Sequence, residues 1–464
     1  MKKPIHKIFF FLALSALLIT SGFGCKGLNT IEQAATQPVV LEYWTVFDDV
    51  DALTVLINKY RAVRPNITVN LRQLRMDEFY PRLLEALAED KGPDIISVSN
   101  RAIKATANKL AKMPASFSDT TMVVTQGTLN STTKVNTTQI SLPDVNRLDK
   151  EYVQAVKKDA AIGSDVYGLP LSMDTMAIYY NKDLLDRSGV AEPPKTWEAF
   201  QTAAKKITRY DKTTSKVLQA GAALGTGNNI PGSDDLLYIL FKQSGVEFVD
   251  GRGAAIFNAT PNNYGGGDTP AMTAMNFYTD FADSTRDTYS WNESMGNALD
   301  QFVNGSVGFF FGYSHQFPII RARAPQLNFG VMPMLQLSSD HPVNTANYWL
   351  QAVTLKSKHQ NEAWGLVGYL THSAATKEYL DKTGRPTALR AYITDQSAKP
   401  ELAPFVAQVL TADNWYHGAD YASASKSVNE MIHAWLLPPT QPDRLIEFRQ
   451  DILNKGAAKV NQTL

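Results

Sequence analysis

VVLEYWTVFDDVDALTVLINKYRAVRPNITVNLRQLRMDEFYPRLLEALAEDKGPDIISVS, residues 39–99, reads as strand, helix, strand, helix, strand. Its first eight residues are mostly β-branched or aromatic, types that fit a pleated, half-buried surface. Asp51 then precedes apolar residues at Leu53, Leu56, Ile57, Tyr60 and Val63, one face of a helix that Pro65 ends. Ile67, Val69 and Leu71 alternate with Thr68, Asn70 and Arg72 as a second strand, and Asp77 is placed to cap a helix turning Phe79, Leu83, Leu84 and Leu87 inward. GPDIISVS (92–99) is a nearly continuous apolar run after a Gly-Pro turn, as in a strand buried on both faces. Strands joined through helices run parallel with right-handed crossovers, so the expected fold class is α/β, with mainly parallel sheets flanked by helices.

On the N-terminal side, Lys2, Lys3 and Lys7 precede a twelve-residue apolar run, Ile8 to Ile19, and then TSGFGC. A membrane span needs about 18–20 apolar residues, so residues 1–24 read as a signal peptide. Gly24 before Cys25 resembles a bacterial lipobox, in which Cys25 is lipidated and becomes the mature N-terminus; cleavage by ordinary signal peptidase near the same point is the alternative. Residues 25–37 lack periodicity and fit a tether to a membrane's outer face. Cys25 is the single cysteine of the 464-residue chain, which excludes an intrachain disulfide and a thiolate metal cluster. The 45 basic residues balance 45 acidic ones, so no broad basic field exists to bind nucleic acid. The length suggests two or three domains at roughly 100–200 residues each.

On the C-terminal side, residues 116–141 hold 12 Ser or Thr in 26 positions without helical periodicity and are expected to be an exposed loop or surface excursion. Strands are expected at 175–180, 306–312 and 327–334. Helices are expected at 196–207, with Trp197, Phe200, Ala204 and Ile207 on one side, at 361–370, where Trp364 is core, and at 373–384, ending at Gly384. The last 50 or so residues read as mainly helical.

Five segments in register resemble one family: EYWTV with its following helix, KGPDIISVS, YGLPLSMDTMAIYYNKDLLDRSGVAEPPKTWEAF (167–200), FVNGSVGFFFGYS (302–314) and NYWLQAVTLKSKHQNEAWGLVGYLTHSAATKEYL. The family is the extracellular solute-binding proteins of ABC importers, in the maltose-binding-protein-like group. The resemblance implies two α/β lobes with a ligand cleft between them. Lobe one would hold 38–173 plus 335–380, with 116–141 as an insertion, and lobe two 178–330 plus 385–464. The hinge would lie near 174–177, 331–334 and 381–385.

Ligands of open α/β sheets bind beyond the carboxyl ends of the strands. That rule selects Phe47, Asp48 and Asp49 after the first strand, Ser99 and Asn100 after the third, and Tyr313 and Ser314 after SVGFFFG. Asp174 matches an acidic ligand contact of the family's sugar binders. Tyr348, Trp349, Trp415 and Tyr416 offer rings on which sugar C–H faces stack, while carboxylates take sugar hydroxyls. Against these readings, the rings could be core, Asp48 and Asp49 could cap a helix, and Arg101 could be a solvated helix start with a smaller claim on ligand.

Motifs for catalysis fail. GYSHQ (312–316) carries Gln316 where a nucleophile elbow needs glycine, GTGNNI (225–230) lacks the third glycine of a dinucleotide loop, and the histidines show no metal-ligand spacing. The expectation is a binding protein rather than an enzyme, monomeric, without cofactor or metal. It would be lipid-anchored outside a bacterial membrane and deliver a small solute, most plausibly a sugar or oligosaccharide, to the transmembrane subunits of an ABC permease. Alternatives are a receptor for a peptide or polyamine, favoured if the cleft holds uncompensated acidic groups, a sensor serving signalling, and a surface glycosidase using a pair such as Asp48 and Asp174.

Overall fold

The computed structural model describes residues 33, 36–126, 131–262, 264–439 and 442–464. The expected signal peptide, Cys25 and nearly all of the expected tether lie outside the described residues. Among the described residues, no helix is long and apolar enough to cross a membrane.

The opening stretch builds half of a first sheet. Strands β1 (Val39–Thr45), β2 (Ile67–Gln73) and β3 (Ile95–Ser99) pair in parallel, linked by helices α1 (Val50–Ala62) and α2 (Met76–Ala88). Helix α1 buries Leu53, Leu56, Ile57 and Tyr60, whereas Val63 lies just past its end and is exposed. Of the two candidate caps, Asp48 and Asp49, the cap is Asp49, whose carboxylate accepts the Ala52 N–H at 2.8 Å. In α2, Phe79, Leu83 and Leu87 are buried, but Leu84 is half exposed on the next face, and the helix begins before Asp77.

Residues 116–126 and 131–141 are strands, not a loop. Strands β4 (Ser116–Gln126) and β5 (Ser131–Ser141) form an eleven-rung antiparallel ladder. Thr and Val favour the extended backbone. Hydrophobic alternation is missing because β5 is mostly exposed and β4 is only half-buried from Ser118 to Met122, where it lies along the body. There Phe117 enters the core against helix α5 (Gln360–Thr371), where Gly365 and Gly368 make room: a Cβ on Gly365 would lie 3.1 Å from the Phe117 ring. Arg64 holds Asp119 through Nε and Nη2 at 2.7 and 2.6 Å, and Asn361 brackets the Ser118 peptide.

The first sheet is completed by β6 (Leu169–Pro170) and by a later return strand, in the order β2-β1-β3-β14-β6, where β14 is Trp349–Val353. The second sheet has the order β9-β10-β11-β8-β12: β8 is Ala177–Asn181, β9 Arg209–Tyr210, β10 Val217–Ala222, β11 Val307–Gly312 and β12 Phe329–Pro333. Parallel pairing survives at β10 and β11; β8 and β14 run antiparallel to their neighbours because the chain reaches them from the other lobe. Helix α3 (Trp197–Ile207) buries its predicted face on the second sheet, and helices α7 (Tyr421–Leu436) and α8 (Leu445–Asn461) close that lobe.

A separate three-stranded sheet joins the lobes: β15 (Ala412–Asp413), β13 (Asn344–Asn347) and β7 (Asp174–Thr175). Residues 344–347 and 412–413 thus lie beside 174–175 in this sheet, and 331–334 and 381–385 are not part of it. Residues 331–333 are still paired with β8 inside the second sheet. Helix α6 (Ala374–Thr383) ends at Gly384, φ +63°, and Ala388 and Leu389 beyond it pack into the first core, not the second.

Candidate ligand-binding cleft

The strand ends selected from the sequence converge where the lobes meet at the three-stranded sheet. Phe47, Asp48, Asp174, Tyr348 and Trp349 line one small cavity together with Ser172, Met173, Asn347, Arg385 and Pro386. It leaves about 20 Å³ for the centres of water-sized spheres, room for about one water, so a larger solute requires the lobes to part.

Each carboxylate there is held by a local reason. Asp48 accepts the Thr45 hydroxyl at 2.5 Å and the Gln351 amide at 3.2 Å, which ties the end of β1 to β14. Asp174, on crossing strand β7, accepts the Ser314 and His315 backbone N–H groups at 2.8 and 3.2 Å, and the His315 ring lies 3.2 Å away. His315 in turn meets Phe47 of the first lobe edge-on, centroids 4.9 Å apart, while the Arg385 guanidinium sits over the other ring, 5.0 Å from the Phe47 centroid.

A second centre lies deeper and is polar. Arg101, at the end of β3, crosses to Asp235 in the first turn of helix α4 (Ser233–Gln243), with Nη2 at 2.6 and 2.8 Å from the two oxygens. Both side chains are buried, at 5% and 2% exposure. Asp235 also accepts the Tyr313 hydroxyl at 2.5 Å and the Trp415 indole N–H at 3.0 Å. Gly232, φ +74°, begins α4 against the crossing: a Cβ there would lie 2.9 Å from Met176. The helix N-terminus favours the two acids it carries, Asp234 and Asp235. Burial, then the adjacent Asp235, push Asp234 up to about 7, with Arg101 opposing. Burial and Asp235 likewise raise the Tyr313 hydroxyl well above its ordinary value. For Arg101, burial works downward, but Asp235, then Tyr313 and Asp234, turn the shift upward, so the guanidinium keeps its charge.

A third contact joins the lobes through Asp159, fully buried, which accepts from the Asn100 amide at 3.0 Å and the Tyr348 hydroxyl at 2.7 Å and pairs with the His417 ring at 2.8 Å. Burial and then Asp159 raise the Tyr348 hydroxyl well above its usual range.

The structure thus divides the residues selected from the sequence. Phe47, Asp48, Asp174, Tyr348 and Trp349 share the cavity, and Tyr313 and Trp415 share Asp235. Ser314 lies beside both groups with its hydroxyl buried and unpartnered among the described residues. Ser99 borders the cleft as the register partner of Trp349, and its hydroxyl accepts the Arg101 N–H at 3.3 Å. Asn100 is spent on Asp159, and Asp49 on its helix cap. Tyr416 is a buried ring whose hydroxyl donates to the Thr463 carbonyl at 2.7 Å, fastening the C-terminus rather than facing the cleft. Sequence reasoning missed Asp234, Asp235, Asp159 and Tyr421 and underrated Arg101. A signal existed for the first two: adjacent acids open a helix whose next six residues are all apolar, and such a run rarely begins on charge without a use for it.

The chain's relatives agree with this architecture. The family model for bacterial extracellular solute-binding proteins matches residues 46–377. A multiple sugar-binding protein of Streptococcus mutans is 24% identical over 258 residues, 55% of this chain and 58% of the relative. A probable ABC transporter-binding protein of Deinococcus radiodurans is 25% identical over 231 residues, 49% of this chain and 52% of the relative, so the matches span only a little over half of these relatives. Among solved structures, a cyclic alpha-maltosyl-1,6-maltose binding protein from Arthrobacter globiformis superposes with TM-score 0.69 at 19% identity, covering 92% of this chain and 99% of that one. An ABC transporter solute-binding protein from Thermotoga lettingae, bound with alpha-D-tagatose, gives 0.66 at 18% identity, covering 91% and 99%. The match across most of its length, on a two-lobed α/β frame, places the chain in the bacterial extracellular solute-binding protein family.

Proposed function

We propose that the protein captures a sugar or oligosaccharide between its lobes and delivers it to an ABC permease, held at the outer face of the membrane by lipid on Cys25. The observation that carries this reading is the convergence of Phe47, Tyr348 and Trp349 with Asp48 and Asp174 on one cavity at the crossing strands: ring faces for C–H patches beside carboxylates for hydroxyls. The names of the relatives point the same way. Solute touching both lobes favours the closed form only through its greater affinity for that form.

The protein acts by binding, without turnover. A glycosidase would need a carboxyl group free to give its proton to the leaving oxygen. Asp48 and Asp174 instead accept N–H or O–H groups that hold them in place. A thermal-shift panel tests the reading: solute at about 100 times its Kd should stabilise the fold by about 2.7 kcal/mol. Shifts from another solute class alone would overturn the sugar assignment, and product formed on incubation with a bound oligosaccharide would overturn the non-catalytic one.

A further inference from the structure

Asp235 and Tyr421 enclose the Arg101 guanidinium from two sides. Its carbon lies 4.1 Å from the Tyr421 ring centroid, and its Nη2 reaches both Asp235 oxygens. The Tyr421 hydroxyl donates to the second carboxylate, Asp234, at 2.5 Å, and the Trp415 indole N–H and Tyr313 hydroxyl fix Asp235 in place. A carboxylate opposite an aromatic face is a seat for a cation. Every wall of this seat belongs to the second lobe, while the cation in it belongs to the first. When the lobes part, the seat retains two carboxylates and a ring, and Arg101 leaves with its own lobe.

Two further observations mark Arg101 as a replaceable occupant. Its Nε is buried without a partner among the described residues, and so is the Ser314 hydroxyl next to Tyr313. A buried ion pair offsets the cost of desolvation only when its remaining donors are satisfied, and this one leaves a donor unmade. The charge balance leans the same way. Asp48, Asp159, Asp174, Asp234 and Asp235 are all largely buried around the contact, against the guanidinium groups of Arg101 and the half-buried Arg385, with the His315 ring beside Asp174 and the His417 ring beside Asp159. Burial, and then the adjacent Asp235, hold Asp234 above the usual carboxylate range.

We infer that this half of the cleft recognises a protonated amine or guanidinium group on the solute, and that the solute is an amino sugar rather than a wholly neutral saccharide. The second clause rests on the sugar-receptor reading above; the first does not. Two arms of one experiment separate them. In the first, calorimetry compares glucosamine disaccharides and other amino sugars with their N-acetylated and hydroxyl counterparts. Amine forms should bind at least about tenfold more tightly, a difference of about 1.4 kcal/mol, and Asp235→Asn should abolish the preference. Neutral forms binding as well or better overturn the amino-sugar assignment and leave the sugar receptor standing; binding by none of the sugars overturns both.

The second arm probes the seat directly. Arg101→Ala, checked for folding by circular dichroism, should be stabilised in a saturable manner by methylguanidinium, whereas wild type and the Arg101→Ala, Asp235→Asn double variant should not. Stabilisation confined to Arg101→Ala supports the seat whatever the sugar panel gives. Equal response of all three, or of none, overturns it. Should Arg101→Ala fail to fold, Arg101→Gln serves in the same comparison.

Discussion

Asp174 stands on one crossing strand and receives two backbone N–H groups from the end of β11, so its charge is bonded across the lobe boundary. Hydrogen bonds to a charged acceptor contribute about 1.5–3 kcal/mol, and Asp174→Ala should weaken solute binding by roughly tenfold to a hundredfold while leaving the folded content unchanged. Trp349→Ala should weaken it too, by removing a ring from the cavity wall; calorimetry showing unchanged affinity in both variants would refute the site. Asp49→Ala makes the contrast: loss of the cap should cost about 1 kcal/mol in urea unfolding and leave affinity unchanged. Asp234 supplies a pH signature. Its folded value, about 7, lies above the unfolded carboxylate value, so its contribution to stability is fully present below the unfolded value and lost as pH rises through 7. Asp234→Asn should therefore gain thermal stability relative to wild type at about pH 8, the gain shrinking as pH falls below 7 and vanishing only toward about pH 4, the unfolded carboxylate value; parallel melting profiles would refute this. Residues at strand ends were legible in the sequence because β1, β3 and β11 announce themselves as apolar runs. Whether a polar residue at such an end turns into the cavity, as Asp48 does, or to its own helix, as Asp49 does, depends on one backbone turn that no spacing encodes.

At the scale of elements, the β4–β5 hairpin is where sequence reading failed, and the failure is physical. Alternation betrays a strand only when one face is buried and the other wet. Apart from Phe117 this ribbon buries no side chain fully among those described, so the same Thr-rich composition fits a loop equally well. Its attachment is compact: the fork of Arg64 on Asp119, the Asn361 bracket and the Met122 N–H on the Val63 carbonyl at 2.8 Å. Asp119→Ala should loosen the hairpin locally, raising amide exchange in β4 and β5 while that in β1 and β3 stays the same, and should cost about 1.5–3 kcal/mol at most. Equal exchange in wild type and variant would show that Phe117 alone suffices to hold it. Helices with one apolar face, α1 and α3 among them, were legible nearly residue for residue. The crossing strands were not, since two to four residues carry no period.

For the whole molecule, the lobes meet through buried polar contacts that include Arg101 with Asp235 and Asp159 with His417. Such contacts exchange readily for contacts with a solute. Small-angle scattering should report a larger radius of gyration for Arg101→Ala than for wild type when no solute is added, and a common compact value for both at saturation. At the membrane, Cys25→Ser should move the full chain from the membrane fraction to the soluble one; retention in the membrane would refute lipid anchoring. The three-stranded junction has a mechanical consequence. A single connecting strand would let one body swivel and slide against the other, as a bead does on a string. Three tethers side by side, of two to four residues each, stiffen against torsion and shear and leave bending as the compliant mode. Bending about that sheet would bring the two bodies together along one arc and into one register, whatever lies between them. A partner that grips both bodies at once would meet a fixed spacing, and could recognise the end of that arc without touching the cargo.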